Sequence, residues 1–101
     1  MEFQKLIACD QVTEDKASKV VINKREIGVT VFEGEYYAFD DLCTHADANL
    51  SDGCVVNGEV ECPLHFARFC VKTGVVTEPP AFDDLKTYKT KVEDGFVWIL
   101  I

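Results

Sequence analysis

The sequence predicts an all-β protein, and three observations carry that expectation. Val, Ile and Thr number 25 against 14 for Ala, Leu and Met, a balance that favours strands over helices. Short runs of strand-forming residues alternate with glycine-bearing pairs, the punctuation of antiparallel hairpins. No stretch sustains the apolar spacing of three and four that an amphipathic helix needs. A chain of 101 residues, 48% of them hydrophobic, fits one domain around one core. A small antiparallel sandwich or barrel built from residues 1–101 is the expected architecture.

The elements follow in order. Residues 3–9, 19–23, 28–32 and 36–39 read as strands, the last two joined at Glu33-Gly34, where glycine supplies the positive φ of a tight turn. Residues 54–56 and 59–61 flank Asn57-Gly58, and 69–71 follows. Residues 87–92 and 96–101 flank Asp94-Gly95. The final run reads as a central strand with Trp98 in the core, and Tyr36 and Tyr37 read as packing residues. Residues 12–19 and 82–85 are the places where a helical turn fits, and Pro79-Pro80 forces a loop.

Ten Lys and Arg against eighteen Asp and Glu give a net charge of −8, which argues against nucleic acid or an anionic membrane as partner. The charge is uneven. Between Glu26 and Ala67 lie nine acids and no Lys or Arg, either a solvated acidic face or one that steers docking onto a basic partner. The N-terminus lacks the basic and apolar regions of a signal peptide, and no apolar run approaches the roughly 20 residues of a bilayer span. The expected compartment is the cytoplasm. There, five cysteines, Cys9, Cys43, Cys54, Cys62 and Cys70, are better explained by metal binding or burial than by disulfides.

The chemistry concentrates in two short motifs. The chain has two histidines, and each sits beside a cysteine: Cys43-Thr44-His45 and Cys62-Pro63-Leu64-His65, with sixteen residues between the pairs. That interval holds a hairpin turning at Asn57-Gly58, so two loops can face each other, each offering one thiolate and one imidazole. A tetrahedral zinc site accepts such a set. The single residue between Cys43 and His45 suits two separate metal ions better, because neighbouring side chains in an extended loop diverge. With both histidines engaged as ligands, no general base remains for nucleophilic catalysis, and no phosphate-cradling loop occurs.

These motifs resemble the Rieske [2Fe–2S] signature, C-x-H followed by C-x-x-H. The resemblance continues through Ser51-Asp52-Gly53, Phe66-Ala67-Arg68-Phe69-Cys70, Thr73-Gly74, Pro79-Pro80-Ala81 and Asp94-Gly95. In length and pattern the chain is most similar to the Rieske-type ferredoxins of bacterial multicomponent aromatic-ring-hydroxylating dioxygenases. The resemblance implies a β base carrying a two-loop cluster-binding subdomain over about residues 41–80. It implies one [2Fe–2S] cluster, with Cys43 and Cys62 on the inner iron and His45 and His65 on the outer one. It further implies a one-electron carrier rather than an enzyme, monomeric, serving a flavin-containing NAD(P)H-dependent ferredoxin reductase and a terminal oxygenase. Phe66 and Pro79-Pro80 would form an apolar rim around the electron's exit.

Against high-potential members of the family, this chain has Ala67 and Phe69 where those carry a serine and a tyrosine that donate towards the cluster. Neither can donate, so the expected midpoint lies near the low end of a range of roughly −150 to +300 mV. Leu64 occupies one position of the loop disulfide found in those members; Cys54, Cys70 and Cys9 do not match that pair and read as packing residues. Two other readings remain open on the residues: the small subunit of a nitrite reductase, and a structural zinc module that binds a protein partner.

Overall fold

The computed structural model describes residues 1–44, 47–64, 66–79 and 83–101. Its strands form three antiparallel sheets. The first pairs β1 (Phe3–Ala8) and β10 (Thr90–Glu93) on either side of β11 (Phe96–Leu100). The second runs β2 (Ser18–Ile22), β3 (Arg25–Phe32), β4 (Glu35–Asp40) and β9 (Thr87–Tyr88). The third runs β5 (Cys54–Val56), β6 (Glu59–Glu61), β7 (Arg68–Cys70) and β8 (Val76–Glu78). The all-β expectation holds.

The predicted hairpins turn where glycine was expected. Glu33-Gly34, Asn57-Gly58 and Asp94-Gly95 all have positive φ at both residues, the geometry that matches the twist of paired strands. A further reversal, between β2 and β3, uses Asn23-Lys24 with φ of 51° and 64°. It lacks glycine and therefore left no glycine signal. The expected strand over 87–92 is two strands, because the chain passes from one sheet to another at Lys89: Tyr88 pairs with Ala38 of β4 and Thr90 with Ile99 of β11. The Thr90 hydroxyl then donates to the Tyr36 carbonyl, tying the sheets together. β8 was not expected, although Val75-Val76-Thr77 is rich in β-branched residues; the prolines after it marked a loop and masked the short strand before them.

Residues 12–19 contain no helical turn. The one-turn 3-10 segments fall at Cys9–Gln11 and Leu50–Asp52 instead. Pro79 sits in an exposed turn after β8, while Pro80, Ala81 and Phe82 lie outside the described residues, and Asp83–Leu85 adds no helix.

Alternation along β11 decides the fate of Trp98. Val97 and Ile99 are fully buried, so Phe96, Trp98 and Leu100 take the opposite face and are half-buried. Trp98 is therefore not a core residue. Its indole N–H reaches the Glu93 carbonyl at 3.2 Å, and the Lys5 and Lys91 ammonium groups sit 5.7 and 5.4 Å from its ring centroid, their stems covering the apolar face. Tyr36 and Tyr37 pack at the edges of two core clusters as expected.

Ile99→Ala is expected to lower stability by about 2–5 kcal/mol in urea unfolding. Acrylamide should quench the fluorescence of the chain's single tryptophan in the folded protein; a shielded Trp98 would place β11 with the opposite face inward.

Candidate metal centre

The candidate metal centre lies where the second and third sheets each send out a cysteine-bearing loop. β6 delivers the chain to Cys62 and β7 takes it away after Ala67. β4 delivers it to Cys43, and the segment returns at Leu50. Both turns close in the same way: the Cys43 N–H donates to the Ala48 carbonyl at 2.9 Å, and the Cys62 N–H to the Ala67 carbonyl at 2.8 Å. Each cysteine thus starts a loop clamped to the alanine five residues later. Leu42 and Asn49 bridge across the foot of the first loop.

Cys43 is 4% exposed and Cys62 fully buried, and both belong to one apolar cluster with Leu50, Val60, Ala67 and Phe69. Their thiols lie within hydrogen-bonding reach of each other. Burial pushes the Cys62 thiol up to about 11; the Leu64 N–H works against this, and the facing Cys43 raises it further. The Cys62 thiol so placed is a poor anion on its own, and a multivalent cation held between the two cysteines supplies the charge that burial denies it. The donor set thus fits thiolate ligation of a metal. His45 and His65 lie outside the described residues.

Gly53 lets the two loops meet. A Cβ on it would stand 1.9 Å from the Glu61 carbonyl oxygen and 3.3 Å from the Pro63 ring, so the chain leaving the first loop runs directly against the chain entering the second. A third segment leans on the first loop and on the connection between β7 and β8. The Thr44 hydroxyl donates to the Asp83 carbonyl at 2.8 Å, the Val76 N–H to Asp84 Oδ1 at 3.0 Å, and the Leu85 N–H to the Gly74 carbonyl at 2.8 Å.

The remaining cysteines divide. Cys9 packs half-buried against a core cluster. Burial would raise the Cys70 thiol, but the Thr73 hydroxyl and the N–H groups of Thr73 and Lys72 outweigh it and hold the thiol below its usual value. Cys54 is exposed, 3.6 Å from Glu61 Oε1, so it does not pack. It lies on the outer face of β5, whose inward residue is Val55.

The acidic stretch is also less bare than its count. Lys19 pairs with Glu26 at 2.9 Å, Arg68 with Glu61 at 2.9 Å and Lys72 with Glu33 at 3.3 Å. All three bases come from outside the stretch, folded back over it. Exposed apolar side chains stand out beside the cysteines instead: Leu42 at 53%, Leu64 at 45% and Phe66 at 65%. Phe66 holds φ of 59°, a costly conformation for an aromatic residue.

A small all-β chain that buries two cysteine thiols face to face where two clamped loops converge is a scaffold for a thiolate-ligated metal centre. Comparison with known proteins specifies it. Residues 2–89 match the model of the Rieske [2Fe-2S] domain, and the chain belongs to that family. It is 46% identical over 88 residues to the ferredoxin component of the naphthalene 1,2-dioxygenase/salicylate 5-hydroxylase systems of a Ralstonia species, covering 86% of this chain and 85% of that one. Among solved structures it is similar to a ferredoxin of Sphingomonas yanoikuyae B1, with TM-score 0.93 and 32% identity over 97% of each chain. It is also similar to a chain in a complex of reduced oxygenase and oxidised ferredoxin in carbazole 1,9a-dioxygenase, with TM-score 0.87 and 27% identity, covering 96% of this chain and all of that one. The cofactor of the family is a [2Fe–2S] cluster, which displaces the zinc reading.

Gly53→Ala is expected to keep the loops apart and abolish bound iron and acid-labile sulfide. Gly34→Ala, where an added Cβ meets no atom within 4 Å and the positive φ costs stability only in a hairpin of the second sheet, should retain both.

Proposed function

We propose that this chain is the one-electron carrier of a multicomponent aromatic-ring-hydroxylating oxygenase system, receiving electrons from an NAD(P)H-dependent flavin reductase and handing them to a terminal oxygenase. The observation that carries this reading is the pair of buried, facing thiols of Cys43 and Cys62 at a tip lined by exposed apolar side chains. The 46% identical dioxygenase ferredoxin component and the fold shared with a ferredoxin bound to its oxygenase support it.

In this reading Cys43 and Cys62 would hold the inner iron and His45 and His65 the outer one. The cluster would supply one-electron chemistry, at higher potential than an all-cysteine cluster because two imidazoles would replace two thiolates. The chain's own residues set the rest. Ala67 and Phe69, both fully buried, exclude water behind the centre and offer no hydroxyl donor, which favours a midpoint near the low end of the Rieske range. The loop clamps at Ala48 and Ala67 fix the cysteines before and after transfer, so little reorganisation accompanies it.

Docking falls to Leu42, Leu64 and Phe66, together with the exposed Pro79, because the paired carboxylates of Glu26, Glu33 and Glu61 leave less steering field than the acidic stretch suggests. We take residues 1–101 as one domain with its cluster-binding part at about 41–80. We assign it to the cytoplasm as a monomer that serves its two partners in turn. Among the described residues, no helix is long and apolar enough to cross a membrane.

Reconstituted transfer tests the reading. The reduced protein should give a Rieske EPR signal and pass electrons from such a reductase to such an oxygenase; one zinc per chain without iron or sulfide would refute it. A nitrite reductase as the sole functional acceptor would favour the subunit alternative. Phe66→Asp is expected to slow transfer to the oxygenase by about tenfold or more, the scale of a lost interface anchor, with the midpoint nearly unchanged. Raising the salt should slow the unaltered protein by less than that.

A further inference from the structure

Asp41 stands two positions before Cys43 and is fully buried. Its carboxylate accepts three hydrogen bonds: from the Ser51 N–H to Oδ1 at 2.8 Å, from the Ser51 hydroxyl to Oδ2 at 2.7 Å, and from Asn49 Nδ2 to Oδ2 at 2.8 Å. Main-chain bonds run beside them. The Leu50 N–H donates to the Asp41 carbonyl at 2.7 Å, and the Asp41 N–H to the Glu26 carbonyl at 3.0 Å. The Lys16 ammonium donates to the Ser51 carbonyl from the other side.

We propose that Asp41 is the positioning residue of the first metal-binding loop, its carboxylate clasping the returning chain at Asn49 and Ser51 so that the Cys43 thiol is held against that of Cys62. Packing gives this segment few anchors: among its described residues Leu42, Thr44 and Asp47 are exposed, and the core cluster takes Cys43, Leu50 and the partly buried Ala48. Hydrogen bonds to a charged acceptor are about twice as strong as neutral ones and are directional, which suits a loop that must be fixed rather than merely covered.

The clasp also tolerates no isostere. Asn49 Nδ2 donates to Glu26 Oε1 at 2.6 Å as well as to Asp41, so its amide cannot turn round without setting its oxygen against Glu26. An amide at position 41 would meet Ser51 and Asn49 with one donor too many.

The inference rests on Cys43 being a cluster ligand, and its test keeps the two claims apart. In the holoprotein, hydrogen exchange of residues 42–50 is followed by mass spectrometry, together with the EPR g values of the reduced state. Asp41→Asn is expected to speed exchange in that segment by about tenfold or more and to shift the g values. Ser51→Ala removes one donor and leaves the charge of Asp41 in place, so a smaller change in the same direction there assigns the effect to loop position. Val29→Ala truncates a fully buried residue of another core cluster; it should lower stability and leave both readouts unmoved.

Unchanged exchange and g values in Asp41→Asn, or equal shifts in Val29→Ala, would overturn the proposal. If Asp41→Asn does not fold, Ser51→Ala decides through the same two readouts. An unaltered chain lacking iron and sulfide would refute the ligand assignment instead, and exchange in 42–50 would still decide the clasp.

Discussion

The metal-binding end depends on one backbone crossing, that of Gly53 against the Glu61 carbonyl. Two loops that start 19 residues apart in sequence can present their thiols to a common point only if the chain segments behind them touch, and side chains are too bulky to permit it. With the crossing made, the rest follows from short-range chemistry. Each loop closes on its own alanine, the apolar cluster of Leu50, Val60 and Phe69 seals the rear, and the segment ending at Leu85 is drawn in by Gly74 and Thr44. The crossing contributes no hydrophobic burial of its own. It is a steric permission, and it sits inside a stretch where no catalytic or ligand role is proposed for glycine.

Charge obeys a similar logic of placement. Read along the chain, the acids from Glu26 to Glu61 form a block; read in space, Lys19, Arg68 and Lys72 lie over three of them. Pairs of this kind on a surface contribute little to stability, of order 0–1 kcal/mol each. In the proposed docking they matter more, because they dim the long-range field and leave short-range apolar contact at Leu64 and Phe66 as the proposed partner surface. Phe66 keeps its exposed ring at the cost of a positive φ, and strain of that kind persists where the surroundings hold a residue in place for use.

Much of this was legible in the sequence, and the gaps have physical causes. Strand content, the three glycine hairpins and the central place of β11 followed from composition, turn chemistry and alternation. The face on which Trp98 lies did not, because six consecutive apolar residues erase the period of two that would mark inside from outside. The split at Lys89 left no mark, since a strand that changes sheets needs no breaking residue. At the candidate metal centre, the convergence of Cys43 and Cys62 in one buried cluster could be expected because their chemistry is scarce and their spacing specific. The alanine clamps, the clasp at Asp41 and the crossing at Gly53 were not, because each is defined by a partner distant in sequence. Cys54 was read as a packing residue because cysteines are usually buried. Its outward position follows from the register of a strand only three residues long.

Gly95 offers the opposite case from Gly53. A Cβ there would find no atom within 4 Å, and the hairpin it closes belongs to the sheet of β1, β10 and β11, which, among the described residues, contributes no member to the apolar cluster of Cys43 and Cys62. Extra chain is accommodated most readily at open tips of this kind. The fold therefore separates a face whose geometry is fully committed from an edge where polypeptide can be added, and a covalent tether, to a redox partner or to an electrode, has a point of attachment that leaves the cysteine-bearing tip free to meet whatever it serves.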